Sequence, residues 1–523
     1  MSVMSTLARA QAVAAGRAQP LATVRHRWLS QRPMVLVPLT TAGEVGAPLG
    51  ALVGTDRDAP RLLVVPQPRD RDLRAAFLAE LAGVVLPYLT SYEDEVAGEP
   101  GRETDPQTGK KVAVERELCV DAPQLVVPNP AGAEYVRLLG RATRFRRTAE
   151  EDPAEPYPAP SQVPLLGRWF THYGERARTP GSALLVSATE LLTRHWATGQ
   201  SNLEDQHLGA LLAWIDPPPG STGPVAAARA QTGRGPDGLL LSPPAGPATD
   251  PVFDNRVLAP AMSAYDAART AGHDPSAAAG RVRALLESQL RPAWDDVWRA
   301  LDLLRALPAG GHVEDRWKRD RWSYTGHRDR VRAGEPPQPR RDDAVAAAQK
   351  LAGRETAQAR LEAGEALDDP LVMAERRLVG EAFAGPVTES VLEYSPPPRP
   401  RPRPLVTVAT DDRPHLEEGV RVYRALPEGR CQEAEFLGSP RPGLLCLRVL
   451  NGMGRGKEPD PGTVPQPGDA TCWTLFEHAP RGGAELPDAE ATPWTHGGPP
   501  TAFSSGVPAA ADPADDVTVE DYL

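Results

Sequence analysis

The sequence predicts an α+β multidomain protein: a mainly helical body with an N-terminal α+β domain and a small C-terminal β-barrel of SH3-like or OB-like type. Three observations predict it. At 523 residues the chain exceeds what one ordinary core encloses. The spacing of apolar residues changes along it, from short branched runs before residue 130, to helical spacing as far as 394, and back to short runs after 404. Between the last two regions Ser395 is followed by Pro-Pro-Pro-Arg-Pro-Arg-Pro-Arg-Pro, a run with fixed φ and few donors that reads as an extended linker over 395–404.

Residues 1–21 are Ala-rich, with Arg9 and Arg17 and no continuous apolar run of a secretion signal's length, and are expected to be flexible. In the α+β domain, 22–130, Met34–Pro38, Ala51–Val53, Leu62–Val65 and Leu125–Val127 read as strands bounded by Pro, Gly and Asp. Asp70 or Asp72 caps a helix that places Leu73, Phe77, Leu81 and Val84 on one face and ends near Leu86. Tyr92–Lys111 is polar and reads as a loop.

The body, 131–394, is predicted to hold helices at Ala133–Phe145, Leu165–Arg176, Ser182–Ala197, Leu203–Ile215, Val257–Thr270, Ala277–Leu307, His312–Arg332, Asp342–Leu367 and Leu371–Phe383. Beyond the linker, 405–480 is the barrel, with strands at Leu405–Ala409, Val420–Ala425, Glu433–Leu437, Leu444–Val449 and Cys472–Phe476. After Arg481 there is no Lys or Arg, and eight acids lie among Ala, Pro and Gly, so 481–523 reads as a disordered acidic tail.

Composition narrows function. The formal charge of −11 argues against a general coat of positive charge for nucleic acid, while leaving room for a local basic face. Four cysteines without paired spacing fit a reduced, cytoplasmic protein, and no 18-residue apolar stretch is read as spanning a membrane. The Walker A, H-E-x-x-H and G-x-S-x-G signatures are missing.

The remaining motifs have ordinary readings beside the functional ones. Asn451-Gly-Met-Gly-Arg-Gly-Lys457 resembles a phosphate loop, but the Pro-rich sequence after it offers no helix N-terminus, so a hairpin loop is expected. Glu204 and His207 have the Glu-x-x-His spacing of di-iron bundles without a second such pair, which favours the polar edge of an amphipathic helix. Around Thr198–Asn202, His195, Trp196, Gln200, Glu204 and His207 are expected to gather at a hydrogen-bonded corner.

Basic and aromatic residues interleave in two stretches, as phosphate binding and base stacking require. The first holds Arg137, Arg141, Arg144, Arg146 and Arg147, followed by Arg168 and Trp169; the second holds Arg316, Trp317, Lys318, Arg319, Arg321 and Trp322. Acidic neighbours such as Glu314, Asp315 and Asp320 also allow the second to be a salt-bridged helix. At the C-terminus, acids preceding Tyr522 and Leu523 look like the hook by which bacterial single-stranded DNA-binding proteins recruit partners, so these two residues are candidates for partner binding.

The expected function is a non-enzymatic accessory or scaffold subunit of a cytoplasmic, multi-protein, nucleic-acid-processing assembly, with a helicase or nuclease as partner. Large motif-free bacterial proteins of this type serve in such assemblies, antiviral defence included. No catalytic residue, cofactor or metal ligand is expected. One rival is a divergent metal-dependent nuclease or hydrolase using Asp56 and Asp58 with Glu80 and Glu115. Another is a stand-alone single-stranded nucleic-acid binder.

Overall fold

The computed structural model describes residues 3–104 and 109–480, apart from 245, 343, 397 and 399. It is a mixed α/β structure with a closed six-stranded antiparallel barrel formed by residues 382–474.

A five-stranded sheet runs in the order 61–64, 44–54, 34–41, 125–127, 185–187. The first three strands are antiparallel neighbours, whereas 125–127 and 185–187 join in parallel. Met34–Thr40 is buried along its whole length, which explains its unbroken apolar run. Pro38 is tolerated there because the next strand pairs only with Met34 and Val35. The strand at Leu185–Ser187 replaces the start of the helix expected over Ser182–Ala197; only Ala188–Thr193 is helical. A four-residue apolar run, Ala183–Val186, fits either state by period alone.

The sheet takes strands from both sides of residue 130, and buried side chains from Leu29 to Tyr324 form one continuous core. Gln124, fully buried, staples its parts. The amide donates to the Trp28 and Ala183 carbonyls and its oxygen accepts from Ser30 N–H. Helix Arg71–Thr90, capped by Asp70, is long and apolar enough in composition to cross a membrane, contrary to the sequence expectation. Phe77, Leu81, Val85 and Leu89 are nevertheless buried in the protein core, as in the central helix of a globular fold. Helices Pro130–Thr143 and Val163–Ala177 cross closely at Gly140, where any Cβ would collide with the Phe170–Thr171 backbone.

Three further expectations change. Val3–Ala15 is a helix, with Ala12 packed beside Trp214 and Arg9 donating to the Gln200 carbonyl and to Asn202. The polar stretch after Tyr92 contains one arm of a two-stranded ribbon, Val96–Thr104 with Lys111–Cys119, whose mostly exposed side chains give no apolar alternation to read. The barrel begins at Ala382 instead of Leu405, so the Pro/Arg run connects two of its strands and is not a spacer before it. Arg401 and Arg403 supply the N–H donors the prolines lack: Arg401 N–H donates to Ser395 Oγ and Arg403 N–H to the Glu393 carbonyl, while Ser395 N–H donates back to the Arg401 carbonyl.

The other five barrel strands lie close to their expected positions. Alternate residues fill the interior: Val406 and Val408, Ala434 and Phe436, Leu445, Leu447 and Val449, with Trp473 fully enclosed.

His172 and His327 stack nearly parallel in the body, ring centroids 4.2 Å apart, and neither nitrogen of His327 has a hydrogen-bond partner. Burial holds His327 down to about 3, helped by Arg330 and Arg168, and His195 down to about 4. Both are therefore neutral in the fold, while the unfolded chain protonates near 6.5. Their stabilising effect is complete above that value and is lost as pH falls from about 6.5 towards about 3. At pH 5 each costs about 2 kcal/mol relative to pH 7; Asp296, held up to about 6 by burial, offsets about 1 kcal/mol. Urea midpoints should therefore fall between pH 7 and pH 5, and by less in His327→Leu. An equal fall in that variant would remove His327 from the account.

Candidate anion-binding site

Helix Val163–Ala177 ends beside Arg176, and the chain turns through Thr179–Ser182 before entering the edge strand Leu185–Ser187. Gly181 takes a φ of +87°, open to glycine at no steric cost, and its bare Cα faces the Arg316 side chain. The turn is held from below by Asp320 of helix Val313–Arg332. That carboxylate, fully buried, accepts from the Ala183 N–H at 2.6 Å, Arg176 Nη2 at 2.7 Å and Ser182 Oγ at 2.8 Å.

A cavity of about 190 Å³ lies on one side of the turn, lined by Arg176, Arg316, Arg319 and Arg360 with Asp320 as its single carboxylate. Gly353, Ala357 and Arg360 form its other wall, spaced along one face of helix Ala344–Asp368. A second cavity of about 210 Å³ shares Thr179, Pro180 and Ser182 and is lined by Arg27, Arg178, Arg194, Glu190 and Gln358. Seven arginines and two carboxylates thus line the cavities around one short turn, with Glu365 behind Arg27 and Arg194 and Asp368 behind Arg316.

Their electrostatics are unfavourable as they stand. Arg316 is 5% exposed, and its Nε and Nη2 make no hydrogen bond; the nearest carboxylate oxygen, on Asp368, is 3.7 Å from Nη2. Burial pulls its pKa below the ordinary arginine value. Gly364 leaves room for this guanidinium, since a Cβ there would stand 2.7 Å from Nη1. Arg27 is brought down to about 10 by burial and by the Arg194 charge, and its Nη1 is 3.5 Å from Glu365 without a hydrogen bond. Arg319, although exposed at the surface, is lowered by partial desolvation and by neighbouring Arg360. Desolvated donors without acceptors are costly, and an anion in either cavity would screen the mutual repulsion of the guanidiniums around it.

Behind the cavities lies a polar layer. Asp369 accepts from Thr23 N–H at 2.6 Å and Thr23 Oγ1 at 3.0 Å, tying the N-terminal segment to the end of helix Ala344–Asp368. His312 Nδ1 is 2.6 Å from Asp368, whose carboxylate raises the imidazole's pKa. His26 and His195 stack at 5.9 Å.

Of the residues expected to bind nucleic acid, Arg316 and Arg319 reach these cavities. Trp317 and Trp169 are corrected to core residues, 2% and 0% exposed: Trp317 stacks on Trp28 and donates to Asp121, and Trp169 stacks on Tyr324, so neither ring is open to a base. Arg144 is buried too, donating to the Gln338 and Pro339 carbonyls. Arg137 pairs with Glu134, Arg147 with Asp152, Lys318 with Glu99 and Arg321 with Glu314. Arg141, Arg168 and Trp322 are half-buried, and Arg146 is exposed beside Arg71, Arg74 and Tyr157 in a cavity of about 310 Å³. Tyr522 and Leu523 lie outside the described residues.

The other candidates have local roles. Glu204 accepts from Ser201 N–H, and His207 caps helix Leu208–Ile215 by accepting from Ala210 N–H. The corner there is organised by Asp205, which accepts from Thr198 and Gln200. Asp56 accepts from Asp58 N–H in a turn, Glu80 faces Arg61, and Glu115 lies on the ribbon. Among the described residues no three His, Cys, Asp or Glu gather as a metal-ligand set. The glycine-rich loop at 451–457 borders a cavity of about 400 Å³ with Arg401 and Arg403. The chain matches no protein-family model, no curated protein and no solved structure.

Asp320→Ala leaves the half-buried Arg176 guanidinium, the Ser182 hydroxyl and the Ala183 N–H without their acceptor deep in the fold, and should destabilise the protein by about 3–5 kcal/mol. Urea denaturation checks this. A loss below about 1 kcal/mol, the scale of a surface pair, would mean the turn holds without it.

Proposed function

We propose that the protein is a non-enzymatic accessory subunit that holds a nucleic-acid strand by its phosphates for a partner enzyme, a helicase or nuclease, within a cytoplasmic assembly. The observation that carries this is the convergence of seven arginines on the Thr179–Ser182 turn, the deepest of them with unmade hydrogen bonds. Guanidiniums bind and orient phosphates, but at neutral pH they accept no proton and so supply no general base. Asp320, the carboxylate of the deeper cavity, is engaged by three donors. Such a site favours holding over cleaving.

The barrel, which we read as a separate domain of SH3-like or OB-like type, is the natural surface for the protein partner, together with Tyr522 and Leu523. Barrels of that size commonly bind peptides or other domains.

Single-stranded DNA and RNA oligonucleotides should bind with affinity that falls steeply between 50 and 200 mM salt, as counterion release requires. Arg178→Gln combined with Arg194→Gln should weaken binding and flatten the log–log salt slope by about 1. Absence of salt-dependent binding to either nucleic acid would defeat the proposal. Metal-dependent cleavage abolished by Asp58→Ala would put the nuclease reading in its place.

A further inference from the structure

We propose that the cavity over Arg316 receives a strand end, the terminal phosphate monoester of a nucleic acid. This rests on the phosphate-binding reading above and specifies which phosphate the deeper cavity takes.

Depth is the first argument. The Arg316 side chain is 5% exposed, against 23% for Arg176, while Arg360 is half-buried and Arg319 lies at the surface. The Arg316 side chain is therefore at the floor, with its Cδ against Gly181 and its Nε and Nη2 enclosed by protein, and the other three guanidiniums stand nearer to solvent. A phosphodiester inside a strand has two ester arms, both of which must leave through the opening. A monoester has one, and enters end-on with its three free oxygens leading.

Charge points the same way. Four guanidiniums face one carboxylate already satisfied by protein donors, and Asp368 stands 3.7 Å behind Arg316, which leaves an excess of two positive charges. A monoester brings about −1.5 to −2 at neutral pH and three acceptor oxygens, whereas a diester brings a single charge. The larger charge gains most where the donors are desolvated.

Size limits how much of the strand enters behind the phosphate. At about 190 Å³ the cavity is smaller than the roughly 300–1,000 Å³ that enclose a whole small molecule, so sugar and base stay outside. Across the shared wall of Thr179, Pro180 and Ser182, Arg27, Arg178 and Arg194 are placed for a phosphate further along the strand. Gly353 opens the outer side: it is exposed, and nothing lies within 4 Å of where its Cβ would stand.

The test uses the full chain and single strands of about 12 nucleotides with an internal dye, carrying a 5′-phosphate, a 3′-phosphate or hydroxyls at both ends. At physiological salt one phosphorylated end should bind about tenfold tighter than the hydroxyl strand. Arg319→Gln with Arg360→Gln should abolish that preference, whereas Arg178→Gln with Arg194→Gln should weaken all three strands alike. Gly353→Leu, which fills the opening without removing charge and suits a helix, should also abolish it. Equal binding of the three strands with salt dependence intact overturns the strand-end proposal and leaves phosphate binding standing. No binding of any strand defeats phosphate binding itself. Displacement of the strand by AMP at concentrations near the strand's own Kd would assign the cavity to a free nucleotide and overturn the strand end.

Discussion

The buried carboxylate of Asp320 is the constraint on which the arrangement of the site depends. It lies on helix Val313–Arg332 and accepts from the end of one helix, from a turn and from the residue that leads into the edge strand. An ionised group at such depth needs this many donors to offset its desolvation. By taking them it fixes three backbone segments relative to one another. Arg316 is one helical turn before Asp320 on the same helix, and Arg176 is directly bonded to it, so the carboxylate that orders the turn also sets two guanidiniums at the cavity. The surplus positive charge follows from this, because Asp320 is engaged by three other donors and the carboxylate nearest Arg316, that of Asp368, stands 3.7 Å away.

The polar layer behind the cavities shows how this much charge is held inside a fold. Asp368 and Asp369, at the end of one helix, face Arg316, His312, His26 and the Thr23 hydroxyl. Where a partner is within hydrogen-bond reach the charged form is favoured, as at His312; where burial dominates, as at His26 and His195, the ring stays neutral. The layer therefore alternates paired charges with neutral rings instead of accumulating like charges, which is the cheaper way to fill a low-dielectric space.

Much of the fold was legible in the sequence where one face of an element is buried. Val406 and Val408, or Leu445, Leu447 and Val449, alternate cleanly because one side of each strand meets the barrel core, and period two survives in the sequence. The strand at Ala382–Val391 escaped because Gly385 and Pro386 interrupt it. Gly385 is there because the Ala409 carbonyl occupies the space of a Cβ, a tertiary fact with no local trace. The ribbon after Tyr92 was hidden for the opposite reason, as it buries too little to select apolar residues. The site was half legible. Arg316 and Arg319 sit in a conspicuous basic stretch, but Arg27, Arg176, Arg178, Arg194 and Arg360 are scattered along the chain and converge only through the sheet and the Asp320 anchor. Trp169 and Trp317 misled because an aromatic beside arginines reads as a stacking platform, yet a large ring is equally what a core of this size requires.

The relation between site and barrel also differs from what a proline-rich spacer implies. Helix Ala344–Asp368 carries Arg360 and the small residues of the cavity wall, and it ends in the two aspartates of the polar layer. After the short helix Pro370–Leu378 the chain enters the first barrel strand directly. Arg376 ties these pieces together, pairing with Glu362 on one side and Glu381 on the other, and Arg377 donates to Asp412 within the barrel. At the far end of the barrel sequence the Pro480 carbonyl accepts from Arg360 Nε, so the chain comes back to the rim of the cavity. Barrel and arginine cavity are thus joined twice, once through a helix and once through a hydrogen bond to a lining residue. Under the proposed function, a protein held at the barrel and a strand held at the turn would be attached to the same helix, the geometry an accessory subunit needs to present one to the other.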